Sequence, residues 1–260
     1  MNDDWAHYFC LVDNSSASMF LNMDLAARAP REELQHMGFI SLTMLEPYED
    51  GLASQAESET LYAIEDALKS ALETEGKTLY VGRCTTEGAR DFIYYMHDPT
   101  GWSERVEAAL APFPAYQWQA GTQPEKEWDT YFELLYPDDP GLNDICNSRV
   151  RIQLEESGDI PSIPRMIDHW LYFHQEADRL AFISEAETEG FAASNADPVH
   201  DAPLPGDAPL YEVVLQREDA PENINEITWG LRELAGARGG YYDGWGTTVM
   251  TEEEKREEES

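Results

Sequence analysis

The second half of the chain shows helix and strand patterns in one particular order, and this order limits the fold more than any other feature. Four segments rich in apolar and aromatic residues predict strands, at residues 166–173, 191–194, 210–217 and 241–250. Apolar residues at helical spacing predict helices at residues 175–189 and 221–238, each followed by a glycine. Strand, helix, strand, strand, helix, strand is the order of a split βαβ arrangement. We therefore predict a ferredoxin-like α+β domain, an antiparallel sheet with two helices on one face.

The first half of the chain has strand patterns around one long helix, which predicts an antiparallel sheet plus helices. The strand patterns lie at residues 5–12, 17–24, 38–45, 78–84, 90–97 and 116–120. A four-residue turn at 13–16 is predicted to join the first two strands. The long helix is predicted over 57–75 because four apolar residues recur at steps of three or four: Leu61, Ile64, Leu68 and Leu72. A shorter helix is predicted at 103–110, and the aromatic segment 128–137 does not decide between helix and strand.

Turn-forming residues at 138–143 separate the two halves, and a helix at 143–156 is predicted to follow them. We therefore predict an uncharacterised α+β domain at 1–140 and the ferredoxin-like domain at 141–250. Within the second domain, the four prolines of residues 195–209 predict a loop. The last ten residues, 251–260, have no apolar anchor and are predicted to form an acidic, disordered tail.

The charge of the chain restricts its partners. Its 260 residues include 52 Asp and Glu but 17 Lys and Arg, a net charge of −35, and both halves are acidic. Such a field repels nucleic-acid phosphates and anionic membranes, so we expect neither direct nucleic-acid binding nor membrane binding. It attracts a protein partner with a basic surface. Solubility alone is the other explanation of the charge.

Cysteine usage and the N-terminus indicate the compartment. Cys10, Cys84 and Cys146 are widely spaced, as expected of reduced thiols in the cytoplasm. The N-terminus lacks the basic and apolar regions of a secretory signal, and no apolar run approaches the roughly 18 residues of a membrane span. We therefore expect a cytoplasmic protein, and the oligomeric state stays open.

The sequence contains no pattern typical of catalysis or of cofactor binding. Phosphate-binding loops, dinucleotide fingerprints and nucleophile elbows are all absent. His169 and His174 are five residues apart in a predicted strand, so they point to opposite faces and do not share a metal ion. His169 is instead expected to be a buried or half-buried hydrogen-bonding residue. We predict no catalytic residues, no metal and no cofactor.

One segment stands out as a candidate contact site, GGYYDGWGTTV at residues 239–249. Its aromatic residues surround an Asp-Gly bend, where the backbone geometry is tightly set. Tyr242, Asp243 and Trp245 are the candidate partner-binding residues. The alternative is that these aromatic side chains close the edge of the core and lock the last strand.

Several segments of the second half resemble the RraB family, the regulators of ribonuclease E activity B. They are LEESGD at 154–159, PRMIDHWLYF at 164–173, EGF at 189–191 and YDGWGTT at 242–248. The first half, with DWAHYF, YVGRCTTEGARDF and WDTYFELLYP, resembles an uncharacterised domain family found fused in front of RraB-like domains.

The resemblance implies a non-enzymatic, ferredoxin-like, cytoplasmic regulator that binds ribonuclease E and reduces RNA degradation. RraB proteins typically have one domain and a long acidic tail, whereas this chain has an additional N-terminal domain and a ten-residue tail. The partner can therefore differ from ribonuclease E.

Two other functions remain open from the sequence. The N-terminal domain can be an undescribed enzyme or a small-ligand-binding module, with the C-terminal domain as its adaptor. A deep pocket lined by perturbed titratable groups would favour that hypothesis. The chain can also be a structural adaptor that is unrelated to any ribonuclease.

Overall fold

The computed structural model describes residues 3–195, 198–199 and 210–251. The chain folds into two compact units, Met1–Gly141 and Leu142–Ser260, which we call unit 1 and unit 2. Within the described ranges, no helix is both long enough and apolar enough to cross a membrane. The predicted tail at 251–260, apart from Thr251, and most of the predicted loop at 195–209 lie outside the described residues.

Unit 1 is built on a six-stranded antiparallel sheet. The strands are β1 Trp5–Val12, β2 Ser15–Asn22, β3 His36–Thr43, β4 Thr78–Thr86, β5 Ala89–Met96 and β6 Gln117–Pro124. Their order across the sheet is β1-β2-β4-β5-β3-β6. Each strand predicted in the first half is present, with shifted ends. The expected antiparallel sheet with helices is confirmed for this unit.

The hairpin between β1 and β2 is tighter than predicted. The four-residue turn at 13–16 is wrong, because Asp13 and Asn14 alone form the turn and β2 begins at Ser15. Both turn residues have positive φ, 50° and 69°. Two positive φ values are typical of a type I′ turn, whose twist matches that of the flanking strands. Asp and Asn tolerate this conformation better than most other residues.

Two helices cover one face of this sheet, α1 Gln55–Leu72 and α2 Trp102–Leu110. The four apolar residues that predict α1 are all fully buried: Leu61, Ile64, Leu68 and Leu72. They form one core cluster with Ile40, Phe92 and Tyr94 of the sheet and Trp102 of α2. Burial of each such side chain contributes about 1.5–3 kcal/mol, so this stripe holds α1 on the sheet.

The aromatic segment that the sequence leaves undecided covers the opposite face of the unit 1 sheet. It contains a π-helix at Thr130–Leu135. Trp128 is fully buried and stacks on Tyr95 of β5 with 4.0 Å between ring centroids. The Glu125 carboxylate accepts hydrogen bonds from the Thr130 backbone N–H at 2.8 Å and from its hydroxyl at 2.9 Å. These two bonds fix the start of the π-helix.

Unit 2 has the predicted ferredoxin-like topology. Its strands are β7 Arg165–Phe173, β8 Ala192–Asn195, β9 Pro198–Val199, β10 Leu210–Asp219 and β11 Gly240–Thr247. The sheet has the order β11-β7-β10-β8, with the short β9 paired to one end of β10. The helices are α3 Asp139–Glu156, which begins in unit 1, α4 Glu176–Thr188 and α5 Ile224–Gly236. Antiparallel pairing of β7 with β10 and with β11 confirms the split βαβ arrangement.

Helices α4 and α5 pack on one face of the unit 2 sheet. Their side chains Phe182, Ala186, Leu231 and Ala235 form a core cluster with Leu171, Phe173, Val213, Leu215 and Tyr242. Leu154 of α3 packs with Ile167 and Trp245 in a second cluster.

The start of α3 differs from the prediction. The helix begins at Asp139, four residues before the predicted start at 143, with Pro140 in its first turn. Proline is tolerated there because the first N–H groups of a helix have no intrahelical acceptor. The predicted turn segment is therefore largely helical.

Candidate protein-binding surface

The three candidate partner-binding residues lie on β11, at the edge of the unit 2 sheet. Tyr242 and Trp245 are buried, at 3% and 6% exposure, and Asp243 is exposed. The ladder between β11 and β7 shifts register between Tyr242 and Gly244, which places Asp243 in a bulge. Asp243 is thus the one of the three whose side chain reaches solvent. A role for the three residues in partner binding stays a prediction.

A buried polar network ties Trp245 to two helices. Its indole Nε1 donates a hydrogen bond to Asn147 Oδ1 at 2.9 Å. The Asn147 amide nitrogen donates to Asn225 Oδ1 and to Thr228 Oγ1, both at 2.8 Å. Asn225 in turn donates to Asp144 Oδ1 at 2.6 Å. Because buried polar groups are costly unless they are paired, this network fixes β11 against α3 and α5.

Tyr242 is held from the neighbouring strand. Its hydroxyl shares a hydrogen bond of 2.8 Å with Nδ1 of His169, which is fully buried on β7. This confirms the expected hydrogen-bonding role of His169. Burial, and then the positive charge of Arg217, lowers the pKa of His169 to about 3, so its imidazole is neutral near pH 7. His174 follows β7 and is exposed.

Within the described ranges, no group of three or more His, Cys, Asp or Glu side chains converges in a way that could hold a metal ion.

The outward-pointing residues of β7, β10 and β11 form a second, largely solvent-accessible surface. We call it the open face and define it by Asp168, Trp170, Glu212, Glu218 and Asp243, which are all half-buried or exposed. On β7 these positions alternate with buried core residues, as expected for a strand with one face on a core. The register places Gln216 opposite Asp168 and Glu218 opposite Met166, so residues of different strands share this face.

The charge of the open face has one sign. Its outward positions on β7, β10 and β11 hold four carboxylates and, within the described part of these strands, no Lys or Arg. Tyr172 lies among these acids, and its hydroxyl donates to Glu212 Oε1 at 3.1 Å. Burial, and then the negative charges of Glu212 and Asp243, raises the pKa of Tyr172 to about 12. The face therefore presents concentrated negative potential.

Aromatic side chains lie between these acids. The Trp170 ring lies against Gly246 of β11, where an added Cβ would be 3.2 Å from the ring. Glycine at this position leaves room for the indole beside the neighbouring strand. Tyr241 is 40% exposed at the edge, and its hydroxyl donates to Asp243 Oδ1 at 3.4 Å. Acids around exposed aromatic rings can bind a basic segment that also carries apolar side chains.

The sequence prediction missed most of this surface. Asp168, Trp170 and Glu212 were not among the candidate residues. Residues 165–173 lack the alternation of apolar and polar residues that signals one buried and one open face, because Arg165 and His169 are buried and Met166 and Trp170 point outward. The predicted order of elements implies that β10 and β11 pair with β7, but it does not give the register of this pairing.

Several solved structures match the chain, and the two described next are only weakly similar to it. An unknown protein from Galdieria sulphuraria is 12% identical, with 84% of this chain and 100% of that chain covered and a TM-score of 0.25. A putative glycine cleavage system transcriptional repressor is 8% identical, with 82% and 98% covered and a TM-score of 0.22. Scores this low bear on neither fold nor function. No curated protein matches the chain.

Two protein families match separate parts of the chain. Residues 3–136 match DUF695, a family of unknown function, and residues 144–247 match RraB, regulator of ribonuclease activity B. Their order and fusion confirm the resemblance seen in the sequence. The RraB match supports a regulator of ribonuclease activity at the level of the family. The chain therefore belongs to the DUF695 family and carries an RraB domain after its DUF695 domain.

Proposed function

We propose that this chain is a non-enzymatic regulator that binds ribonuclease E, or a related RNA-decay assembly, and inhibits it through the open face. The observation that supports the proposal most is the RraB match over residues 144–247, which contain the open face. The proposal places the protein in RNA degradation in the cytoplasm, with a protein partner and no direct contact to RNA.

The charge of the open face suggests how inhibition would work. Ribonucleases hold RNA through Lys and Arg side chains, because these displace the counterions of the phosphate backbone. Four carboxylates on one sheet face, in a chain of net charge −35, compete for the same cations. Electrostatic binding of this kind weakens as salt rises. The regulator would therefore reduce RNA cleavage by occupying basic residues.

Aromatic residues of the open face are proposed to contribute much of the binding energy of the interface. Trp170 is half-buried and Tyr241 exposed, and aromatic side chains commonly carry much of the binding energy of protein interfaces. Tyr241 contacts Asp243, and Trp170 shares the outward face of β7 with Asp168. An incoming Arg can therefore pair with a carboxylate and stack on a ring. This arrangement selects a partner segment that combines basic and apolar residues.

The experiment that tests the proposal is a pull-down with the full chain as bait from a native cell extract, at low and at high salt. We expect recovery of ribonuclease E at low salt and loss of it at high salt. A double charge reversal, Glu218→Lys with Asp243→Lys, should reduce recovery at least about tenfold, equivalent to roughly 1.4 kcal/mol.

The matched control carries the same change in net charge on the helix side of unit 2, Glu187→Lys with Glu226→Lys. Both control residues are exposed, on α4 and α5. We expect the control to retain wild-type binding. Failure to recover ribonuclease E or any other basic RNA-processing protein would contradict the proposal, as would equal losses in both double variants.

A further inference from the structure

Unit 1 contains a groove of about 710 Å³ beside α1. We call it the α1 groove and define it by Phe9, Phe20, Arg83 and Arg90 on the sheet and Tyr62 and Lys69 on α1. Strand pairing places the sheet residues in adjacent rows: Phe20 is opposite Arg83, and Thr85 is opposite Arg90. Side chains from four strands and one helix therefore form a single surface.

A bulge in β4 brings Arg83 to the groove. The register shifts between Tyr80 and Gly82, and an added Cβ at Gly82 would be 2.5 Å from the Phe20 carbonyl oxygen. Glycine thus permits the close approach of β4 to β2. Beyond the bulge, Arg83 Nε donates to Glu65 Oε2 at 2.7 Å, and the Tyr80 hydroxyl donates to Glu65 Oε1 at 3.0 Å. The single carboxylate of Glu65 is therefore already paired.

The guanidinium group of Arg90 is buried and has a hydrogen-bond donor that is not used within the described part of the chain. It is 5% exposed, its Nε donates to Thr85 Oγ1 at 3.1 Å, and its Nη1 has no hydrogen-bond partner among the described residues. Burial, and then the charge of Arg83, lowers the pKa of Arg90 to about 10. A buried cation with an unsatisfied donor is costly, and an anion that accepts from Nη1 would offset that cost.

A second buried donor lies at the same groove. Ser54 precedes α1 and its hydroxyl is buried, makes no helix cap and has no hydrogen-bond partner among the described residues. The groove is lined by three cations, Lys69, Arg83 and Arg90, and by the carboxylates Glu65 and Asp66. A local excess of positive charge in a chain of net charge −35 favours an anionic ligand.

Exposed aromatic rings surround these cations. Phe9, Tyr48 and Tyr62 line the groove and are each more than half exposed, at 58%, 54% and 55%. The guanidinium carbon atoms of Arg83 and Arg90 lie 5.9 Å and 6.0 Å from the centroid of the Tyr62 ring. A flat ring can stack on these side chains while its acidic group meets the guanidinium groups.

We propose that the α1 groove binds a small organic anion that carries a carboxylate or a phosphate on a planar ring. Arg90 and Arg83 bind the acidic group, and Tyr62 stacks on the ring. The α1 groove shares no residue with the open face. The proposed ligand binding is therefore tested independently of the proposed binding to ribonuclease E.

The test is isothermal titration calorimetry and thermal denaturation of the full chain with matched probes. Phenyl phosphate and benzoate carry ring and charge, phenol and benzamide carry the ring alone, and inorganic phosphate and acetate carry the charge alone. We expect saturable binding of at least one ring anion and at least tenfold weaker binding of its ring-only and charge-only counterparts. Preference between the two ring anions distinguishes a phosphate from a carboxylate ligand.

Variants locate the binding. Arg90→Gln and Tyr62→Ala should each weaken binding at least tenfold, whereas Arg105→Gln and Tyr241→Ala, which lie outside the groove, should not. If Arg90→Gln does not fold, the double variant Tyr62→Ala, Lys69→Gln replaces it, and Lys77→Gln, at an exposed residue outside the groove, is its control. The double variant should weaken binding at least tenfold and the control should not. Absence of saturable binding of both ring anions at millimolar concentration would overturn the proposal. Binding that the groove variants leave unchanged would overturn it as well.

Discussion

Trp245 shows how one side chain fixes the position of a whole strand. Its indole is buried and donates to Asn147, so replacement by Phe leaves the Asn147 oxygen without this donor. We expect Trp245→Phe to lower the free energy of unfolding by about 1–3 kcal/mol, and Trp245→Ala to lower it by about 3–5 kcal/mol. Urea unfolding followed by circular dichroism measures both values.

Trp170→Phe is the control for this prediction, because Trp170 is half-buried on the open face. Trp170→Phe should lower the free energy of unfolding by less than about 1 kcal/mol. Loss of partner affinity in Trp245→Phe without loss of stability would show that Trp245 acts at the interface and not in the core.

His169 makes stability depend on pH in a defined direction. Its pKa is about 3 in the folded chain and about 6.5 in an unfolded one. The unfolded state therefore binds a proton below pH 6.5 that the folded state does not bind until near pH 3, so stability falls as the pH falls through this window. Relative to His169→Gln, the wild type should lose about 2 kcal/mol between pH 7 and pH 5.

Denaturant unfolding of both proteins across this pH range measures that difference. Parallel stability curves for wild type and His169→Gln would contradict a buried, neutral imidazole.

At the scale of elements, the turn between β1 and β2 offers a direct test. Asn14 has a φ of 69°, a conformation that glycine adopts without strain and β-branched residues avoid. Asn14→Gly should raise the free energy of unfolding by about 0.5 kcal/mol, and Asn14→Val should lower it by about 1–2 kcal/mol. Thermal unfolding of the full chain measures both changes.

Ser16→Val, inside β2, is the matched control for the added β-branched side chain. It should be close to neutral, because β-branched residues suit strands. Equal destabilisation by valine at positions 14 and 16 would contradict the tight turn.

The elements that could be predicted from the sequence are those with strong local patterns. The spacing of Leu61, Ile64, Leu68 and Leu72 predicts α1, and all four are buried as expected. The π-helix at Thr130–Leu135 could not be predicted, because it depends on hydrogen bonds to Glu125 and on packing against Tyr95. Its residues carry no local helix or strand period.

The candidate residues on β11 and the α1 groove could also be predicted only in part from the sequence. Tyr242, Asp243 and Trp245 were visible as neighbours in sequence, but the sequence did not show which of them would be buried. Arg83 and Arg90 come together with Tyr62 only through strand register and the bulge at Gly82. Contacts of this kind depend on pairing between distant segments, which a single sequence does not specify.

At the scale of the whole molecule, the net charge of −35 acts on stability and on binding in opposite directions. Like charges on one chain repel, and salt screens this repulsion, so the melting temperature should rise between low and moderate NaCl concentration. Affinity for a basic partner should fall over the same range. Thermal denaturation and binding measured in the same buffers check both signs. A melting temperature that falls with salt would show that attractive ion pairs dominate the charge balance of the fold.

The most direct test of the proposed regulation is the rate at which purified ribonuclease E cleaves a defined RNA in the presence of increasing amounts of the full chain. We predict that the wild type and the Glu187→Lys, Glu226→Lys control reduce the rate to the same extent. The Glu218→Lys, Asp243→Lys variant should need at least about tenfold more protein for the same effect. An unchanged cleavage rate with wild type, or equal inhibition by both double variants, would contradict regulation through the open face.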